Sequence, residues 1–286
     1  MSVWNKTDVS YDTSRLIHNI ISGQALKTPG SPAVISGESK LTYRELDTIS
    51  NQLANLLINK GVTPDTLVGV YLERCPEMIV ALLGILKAGG AYVPIDPAYP
   101  KERVDYMIRD SEVKLILSMK EVVKNISISD NNAEMILLDE DINEIKMQSC
   151  EIKKLDLSTE TLAYMIYTSG STGNPKGAMN THGGILNRLL WMKDYLEIKP
   201  EDNIFQKTSF SFDVSVWEFF LPLMCGARLV FAKPEGQKDT QYLVNEIIDK
   251  QISVMHFVPS MLQVFLEEDN VVNCTSLKKV ICSGEE

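Results

Sequence analysis

Lys176 stands at the end of a stretch built to hold an anion, Tyr167-Thr-Ser-Gly-Ser-Thr-Gly-Asn-Pro-Lys-Gly177, which follows the apolar run 162–166. Glycines let a backbone turn sharply and bring its N–H groups against a bulky anion, and hydroxyls add donors. A lysine then neutralises spread phosphate charge. The same residue types also make ordinary solvent turns. The strand-like run before the loop and the single lysine after Pro175 favour the anion cradle. Neither Gly170 nor Gly173 begins the Gly-x-x-x-x-Gly-Lys-Ser/Thr spacing of a P-loop, and no G-x-G-x-x-G follows an early strand. The spacing therefore points to nucleotide phosphate held in another way.

A second constellation is Phe212-Asp-Val-Ser-Val-Trp-Glu218. Ser215 and Glu218 have capping-box spacing, which predicts a helix beginning at Ser215 and leaves Asp213 just outside its positive end. The alternative is that Asp213 itself caps the helix. The three histidines, His18, His182 and His256, and five cysteines without a C-x-x-C pair form no metal cluster, so free thiols in a reducing cytoplasm are expected.

These groups need a scaffold. Residues 67–72, 115–117, 135–138, 229–232, 254–258 and 279–282 read as strands. Leu46, Ile49, Leu53 and Leu56 recur at helical spacing, with a Thr42–Glu45 capping box before them and Gly61 after them. Pro76 suits the first turn of a helix running to Lys87, where Gly89-Gly90 stops it. Ile185, Leu189, Met192 and Leu196 mark a helix after the Gly-rich loop, and Asp239 or Thr240 caps another carrying Leu243 and Ile247. The alternation predicts an α/β fold with mixed or parallel sheets and helices on their faces. Residues 118–157 are charged and irregular and read as a solvated excursion.

The chain has 286 residues, 44% of them hydrophobic, enough for a sizeable core. Its 28 basic and 38 acidic residues leave a net charge of −10, which argues against nucleic acid or an anionic membrane as partner. No apolar run approaches the ~20 residues of a membrane span, and residues 1–21 lack a secretory h-region. A cytoplasmic location is the default.

Residues 162–177 resemble the phosphate loop of adenylate-forming enzymes, in the form carried by adenylation domains of nonribosomal peptide synthetases. Leu41-Thr-Tyr-Arg-Glu-Leu46, Leu86-Lys-Ala-Gly-Gly-Ala-Tyr-Val-Pro-Ile-Asp-Pro97 and the Phe212–Glu218 motif resemble further signatures of that family, in order. The resemblance implies stacked sheet–helix layers and ATP with Mg²⁺ as cofactors. It places ATP phosphates against Thr168, Ser169, Gly170, Ser171, Thr172, Gly173 and Lys176, and adenine near Gly284 and Glu285. It gives Asp213 the α-ammonium of an amino acid and puts Phe212 at the mouth of an acceptor channel. Val214, Trp217, His256, Ile281 and Ser283 complete a pocket string like that of serine-activating domains. A pocket that hydrogen-bonds a hydroxyl rejects the analogue lacking it, so alanine competes poorly.

The implied partners are a phosphopantetheine carrier domain and a condensation domain. The resemblance also implies groups beyond Glu286: an adenine and Mg²⁺ segment, a ribose aspartate and the catalytic lysine. The expectation is that residues 1–286 form the incomplete large N-terminal subdomain of an adenylation domain, without its C-terminal subdomain and without turnover of its own. Two other readings stand beside it, an acyl-CoA synthetase-like ligase and a non-catalytic nucleotide-binding module; Asp213 speaks against the first.

Overall fold

The structure, a computed structural model, describes residues 9–124, 133–169 and 175–284. The elements in chain order are α1 (Ile17–Lys27), β1 (Pro32–Ser36), β2 (Ser39–Thr42), α2 (Tyr43–Asn59), β3 (Leu67–Val70), α3 (Pro76–Lys87) and β4 (Ala91–Pro94). There follow α4 (Lys101–Asp110), β5 (Leu115–Ser118), α5 (Lys120–Val123), β6 (Glu134–Leu137), α6 (Ile142–Met147), β7 (Leu162–Thr168), β8 (Lys176–Thr181) and α7 (His182–Leu196). The last are β9 (Asn203–Gln206), α8 (Val214–Cys225), β10 (Arg228–Phe231), α9 (Thr240–Asp249), β11 (Val254–Phe257), α10 (Pro259–Leu266) and β12 (Lys279–Cys282).

The strands make two sheets, β6-β5-β3-β4-β7-β8 and β12-β11-β9-β10-β1-β2. Described pairs are parallel except the hairpins β1–β2 and β7–β8, each at one edge of its sheet. A shared core of α1, α2, α3, α7 and α8 lies between the sheets. Helices α9 and α10 cover the outer face of one sheet, and α4 that of the other. In the middle layer α3 is apolar and buried all round from Met78 to Leu86, as a helix covered on every side must be, and only Glu77 and Lys87 at its ends carry charge. Gly84 admits α2 closely: a Cβ there would meet Leu53 Cδ2 at 2.7 Å.

Local signals formed where nothing stronger competed. The Thr42–Glu45 capping box is present, with Thr42 N–H donating to Glu45 Oε2 at 2.7 Å and Glu45 N–H to Thr42 Oγ1 at 3.2 Å. Asp239 caps α9 through the Tyr242 N–H. Tyr43, next in the first motif, donates its hydroxyl to the Ala227 carbonyl at 2.7 Å, tying α2 to the end of α8. One strand was not foreseen and one expectation fails. A strand, β8, separates the Gly-rich loop from α7. The stretch after α6 is no free excursion: Asn51, Gln52 and Asn55 of α2 donate to backbone carbonyls between Lys146 and Glu151 at 2.8–3.2 Å.

Candidate functional site

Strands β11 and β12 run parallel with His256 opposite Ile281 and Phe257 opposite Cys282. One step beyond the ladder, Ser283 Oγ lies 2.8 Å from His256 Nε2, and the Ser283 N–H donates to the Phe257 carbonyl. Burial, and then the nearby Lys207 ammonium, lower the His256 pKa to about 4. The imidazole is therefore neutral around pH 7, and its tautomer sets which partner donates. Lys207 is itself buried, with its Nζ 4.8 Å from the centre of the Phe257 ring. Burial lowers its pKa.

At the head of α8 the expected capping box does not form. Ser215 Oγ donates to the Phe212 carbonyl at 2.6 Å instead of capping. Glu218 is fully buried and turns back to Thr208: Oε2 accepts from Thr208 N–H at 3.0 Å and Oε1 from Thr208 Oγ1 at 2.7 Å. A carboxylate without solvent takes the donors packed around it, and sequence spacing is overridden. Asp213 occupies the N-cap position in helical conformation (φ −61°, ψ −24°) and makes no side-chain capping bond. Main-chain carbonyls take the neighbouring N–H groups, Ser215 N–H donating to Phe212 O and Val216 N–H to Asp213 O. The Asp213 carboxylate is left exposed, without a bonded partner among the described residues.

Two adjoining cavities meet there, sharing Asp213, Val214 and Ser283. One, of about 510 Å³, is also lined by Trp217, Ile281 and Tyr164. The other, of about 750 Å³, is lined by His256, Phe212 and Gly284. The residues of the expected pocket string thus converge from α8, β11 and β12. Phe212 is 60% exposed at the rim, which excludes a core role. Tyr164, Asn180 and Arg188 also line the smaller cavity, and no motif singles them out. Asn180 donates to the Tyr164 hydroxyl at 2.9 Å. Burial raises the Tyr164 pKa, and the Asp213 charge adds to it. Tyr164 belongs to β7, the strand that runs into the Gly-rich loop.

That loop joins β7 to β8. Thr168 and Ser169 are exposed at its entry, and Lys176 is exposed at its exit, opposite Thr168 in the antiparallel register. Its base is anchored to α4: Tyr167 donates to Asp110 Oδ2 at 2.6 Å, and Tyr106 to the Pro175 carbonyl at 3.2 Å. Gly170, Ser171, Thr172, Gly173 and Glu285 lie outside the described residues. Among the described residues no group of three or more His, Cys, Asp or Glu side chains is placed to hold a metal ion. No helix among the described residues is long and apolar enough to cross a membrane.

The chain belongs to the AMP-binding enzyme family, which matches residues 21–286. It is 44% identical over 283 residues to tyrocidine synthase 3 of Brevibacillus parabrevis, covering 98% of this chain and 4% of that protein. It is 43% identical over 277 residues to zwittermicin A synthase ZmaJ of Bacillus cereus, covering 95% and 52%. Among solved structures, the nonribosomal peptide synthetase FmoA3 matches with a TM-score of 0.90 at 28% identity, over 99% of this chain and 30% of that one. FmoA3 has also been solved with AMPPNP and with α-methyl-L-serine-AMP bound. This chain thus spans at most about half the length of these relatives.

Proposed function

We propose that this chain is the front part of the large subdomain of an adenylation domain that activates an amino acid with ATP, and that the amino acid is L-serine. The observation that carries the reading is the Asp213 carboxylate, exposed and uncapping where the two cavities meet. A free carboxylate beside a partly apolar pocket fits an α-ammonium, a charge-assisted bond worth about 1.5–3 kcal/mol. It would fit a fatty or aryl acid poorly. The His256–Ser283 pair gives the larger cavity two polar atoms suited to a β-hydroxyl, while Trp217 bounds the smaller cavity that shares Asp213 and Ser283 with it.

In this reading the substrate carboxylate attacks the α-phosphorus, a P–O bond forms, and the bond to pyrophosphate breaks. Thr168, Ser169, Lys176 and the loop between them hold the departing phosphates. Mg²⁺ would come with those phosphates, since hard cations favour phosphate and carboxylate oxygens. The phosphopantetheine thiol of a carrier domain, beside a condensation domain in the cytoplasm, then takes the aminoacyl group: a thioester forms, the acyl–oxygen bond to AMP breaks, and AMP leaves with the thiol's proton lost to solvent.

The test is exchange of labelled pyrophosphate into ATP by the complete adenylation domain that carries this chain. Serine is expected to drive exchange above the other amino acids, and Asp213→Ala to abolish it while the fold is kept. Undiminished exchange by that variant overturns the assignment.

A further inference from the structure

The turn 208–213 that presents Asp213, with residues 206–207 that lead into it, is fastened from three directions, and the fastenings come from motifs distant in sequence. Glu218 grips Thr208 by two bonds and also accepts from Gln206 Nε2 at 3.2 Å. Asp96, in the motif 86–97, accepts from Ser209 Oγ at 2.7 Å. Arg74, just after β3, reaches across from the other sheet. Its Nε donates to Gln206 Oε1 at 2.9 Å, its Nη2 to the Lys207 carbonyl at 2.6 Å, and its Nη1 to Gln237 Oε1 at 2.9 Å. Phe212 N–H donates to Ser209 O at 3.0 Å and closes the turn onto Asp213. Among the described residues no bond holds the Asp213 side chain itself, so its direction is inherited from the turn.

We propose that Glu218, supported by Arg74 and Asp96, is a positioning residue for amino-acid recognition: by gripping Thr208 it keeps the turn 208–213 in the shape that aims Asp213 into the cavities. The proposal rests on the reading of Asp213 as the ammonium site. Were Glu218 to cap α8 as its spacing invites, Thr208 would lose both bonds and the turn its anchor.

Glu218→Gln is the sharpest variant, because it keeps shape but points an amide at donors on Thr208 and Gln206. Ser209→Ala removes the Asp96 fastening on the partly exposed side. Phe219→Leu, in the adjacent core, serves as a comparison that loses stability without touching the turn. In the complete adenylation domain, pyrophosphate exchange is measured against varied serine and against varied ATP, with thermal midpoints recorded for each variant. The expected result is a KM for serine raised at least tenfold by Glu218→Gln and about threefold by Ser209→Ala, with KM for ATP within twofold. Phe219→Leu is expected to move neither KM, even at an equal loss of thermal midpoint. Equal rises in both KM values, or a serine KM in Ser209→Ala and Glu218→Gln no different from Phe219→Leu, overturn the proposal. If Glu218→Gln does not fold, Ser209→Ala alone decides. Asp213→Ala is run alongside: retained activation there would sink the ammonium assignment, whatever the positioning variants do.

Discussion

His256 Nε2 and Ser283 Oγ stand 2.8 Å apart although 27 residues separate them in sequence. The parallel register of β11 and β12 brings them together, and a helix and a turn fill the interval between the strands. A neutral imidazole beside a hydroxyl makes a pair that can both give and accept a hydrogen bond.

If that pair reads the substrate hydroxyl, removing it harms serine and spares alanine. His256→Ala in the complete domain is expected to lower kcat/KM for serine about 10–100-fold, the loss of roughly 1.5–3 kcal/mol from a buried polar contact. The value for alanine should change far less, so the serine-to-alanine ratio narrows. Equal losses for both substrates would contradict a hydroxyl-reading role.

Lys87, inside the motif 86–97, has its ammonium 2.7 Å from Asp47 Oδ1, 2.8 Å from Ser50 Oγ and 2.7 Å from Asn51 Oδ1. Its side chain is 2% exposed and that of Asp47 22%. Burial lowers the Lys87 pKa, and the Asp47 charge opposes the shift. Asp47→Ala strands a buried cation and is expected to cost about 3–5 kcal/mol in urea unfolding. Replacing both, Asp47→Leu with Lys87→Met, should cost clearly less than Asp47→Ala. If the double variant is the less stable one, the lysine's place is secured by something other than this ion pair.

Gly84 marks the closest approach of α2 and α3. With a Cβ placed 2.7–2.8 Å from Leu53 side-chain atoms, Gly84→Ala must push α2 aside. The expected cost is about 1–3 kcal/mol despite alanine's better helix propensity. Leu53→Ala in the same background should recover part of that loss, which equilibrium unfolding of the double variant measures.

What the sequence made legible divides along burial. The pair Thr42 and Glu45 has the same spacing as Ser215 and Glu218, yet only the first forms a capping box. Glu45 reaches its partner at an exposed helix start, whereas Glu218 lies in the core, where unmet donors on Thr208 and Gln206 take it. Strand β8 escaped notice because its residues 176–180 are all exposed and show no alternation. Strand β9 escaped because Asn203 and Gln206 are buried polar residues at its ends. The family motifs named Asp213, Trp217, His256 and Ser283. Their convergence depends on strand register and on the order of strands in the sheet, which no local pattern carries. Arg188 and Tyr164 line the smaller cavity with Asp213, Trp217 and Ser283, Arg188 outside every motif and Tyr164 inside one read only for its phosphate loop.

The remaining histidines set the acid limit of the fold. His18 and His182 pack edge to face with ring centroids 5.3 Å apart, and both are buried. Among the described residues neither His182 ring nitrogen, nor His18 Nδ1, has a hydrogen-bond partner. Burial pushes His182 from 6.5 down to about 4. Burial also pushes His18 well below its usual value, and the charges of His182 and Lys87 add to that. Because the folded pKa values are depressed, protons bind the unfolded chain first. Stability is full above about pH 6.5 and falls as pH drops through the window from 6.5 to about 4. Between pH 7.5 and 5.0 His182 alone should remove roughly 2 kcal/mol, at 1.36 kcal/mol per unit of pKa difference. Urea unfolding at the two pH values measures the fall, and His182→Leu should flatten it by about that amount. A variant that loses as much stability on acidification as the parent would place the acid sensitivity in carboxylates such as Asp202, whose pKa is lowered by the Lys199 N–H and by Ser253 and Lys278 against the opposing effect of burial. That group behaves with the same sign but in a lower window: its stabilising charge is intact above the usual carboxylate range and is lost only as pH falls through its depressed folded value. The two contributions are therefore separable by where along the pH axis the fall begins.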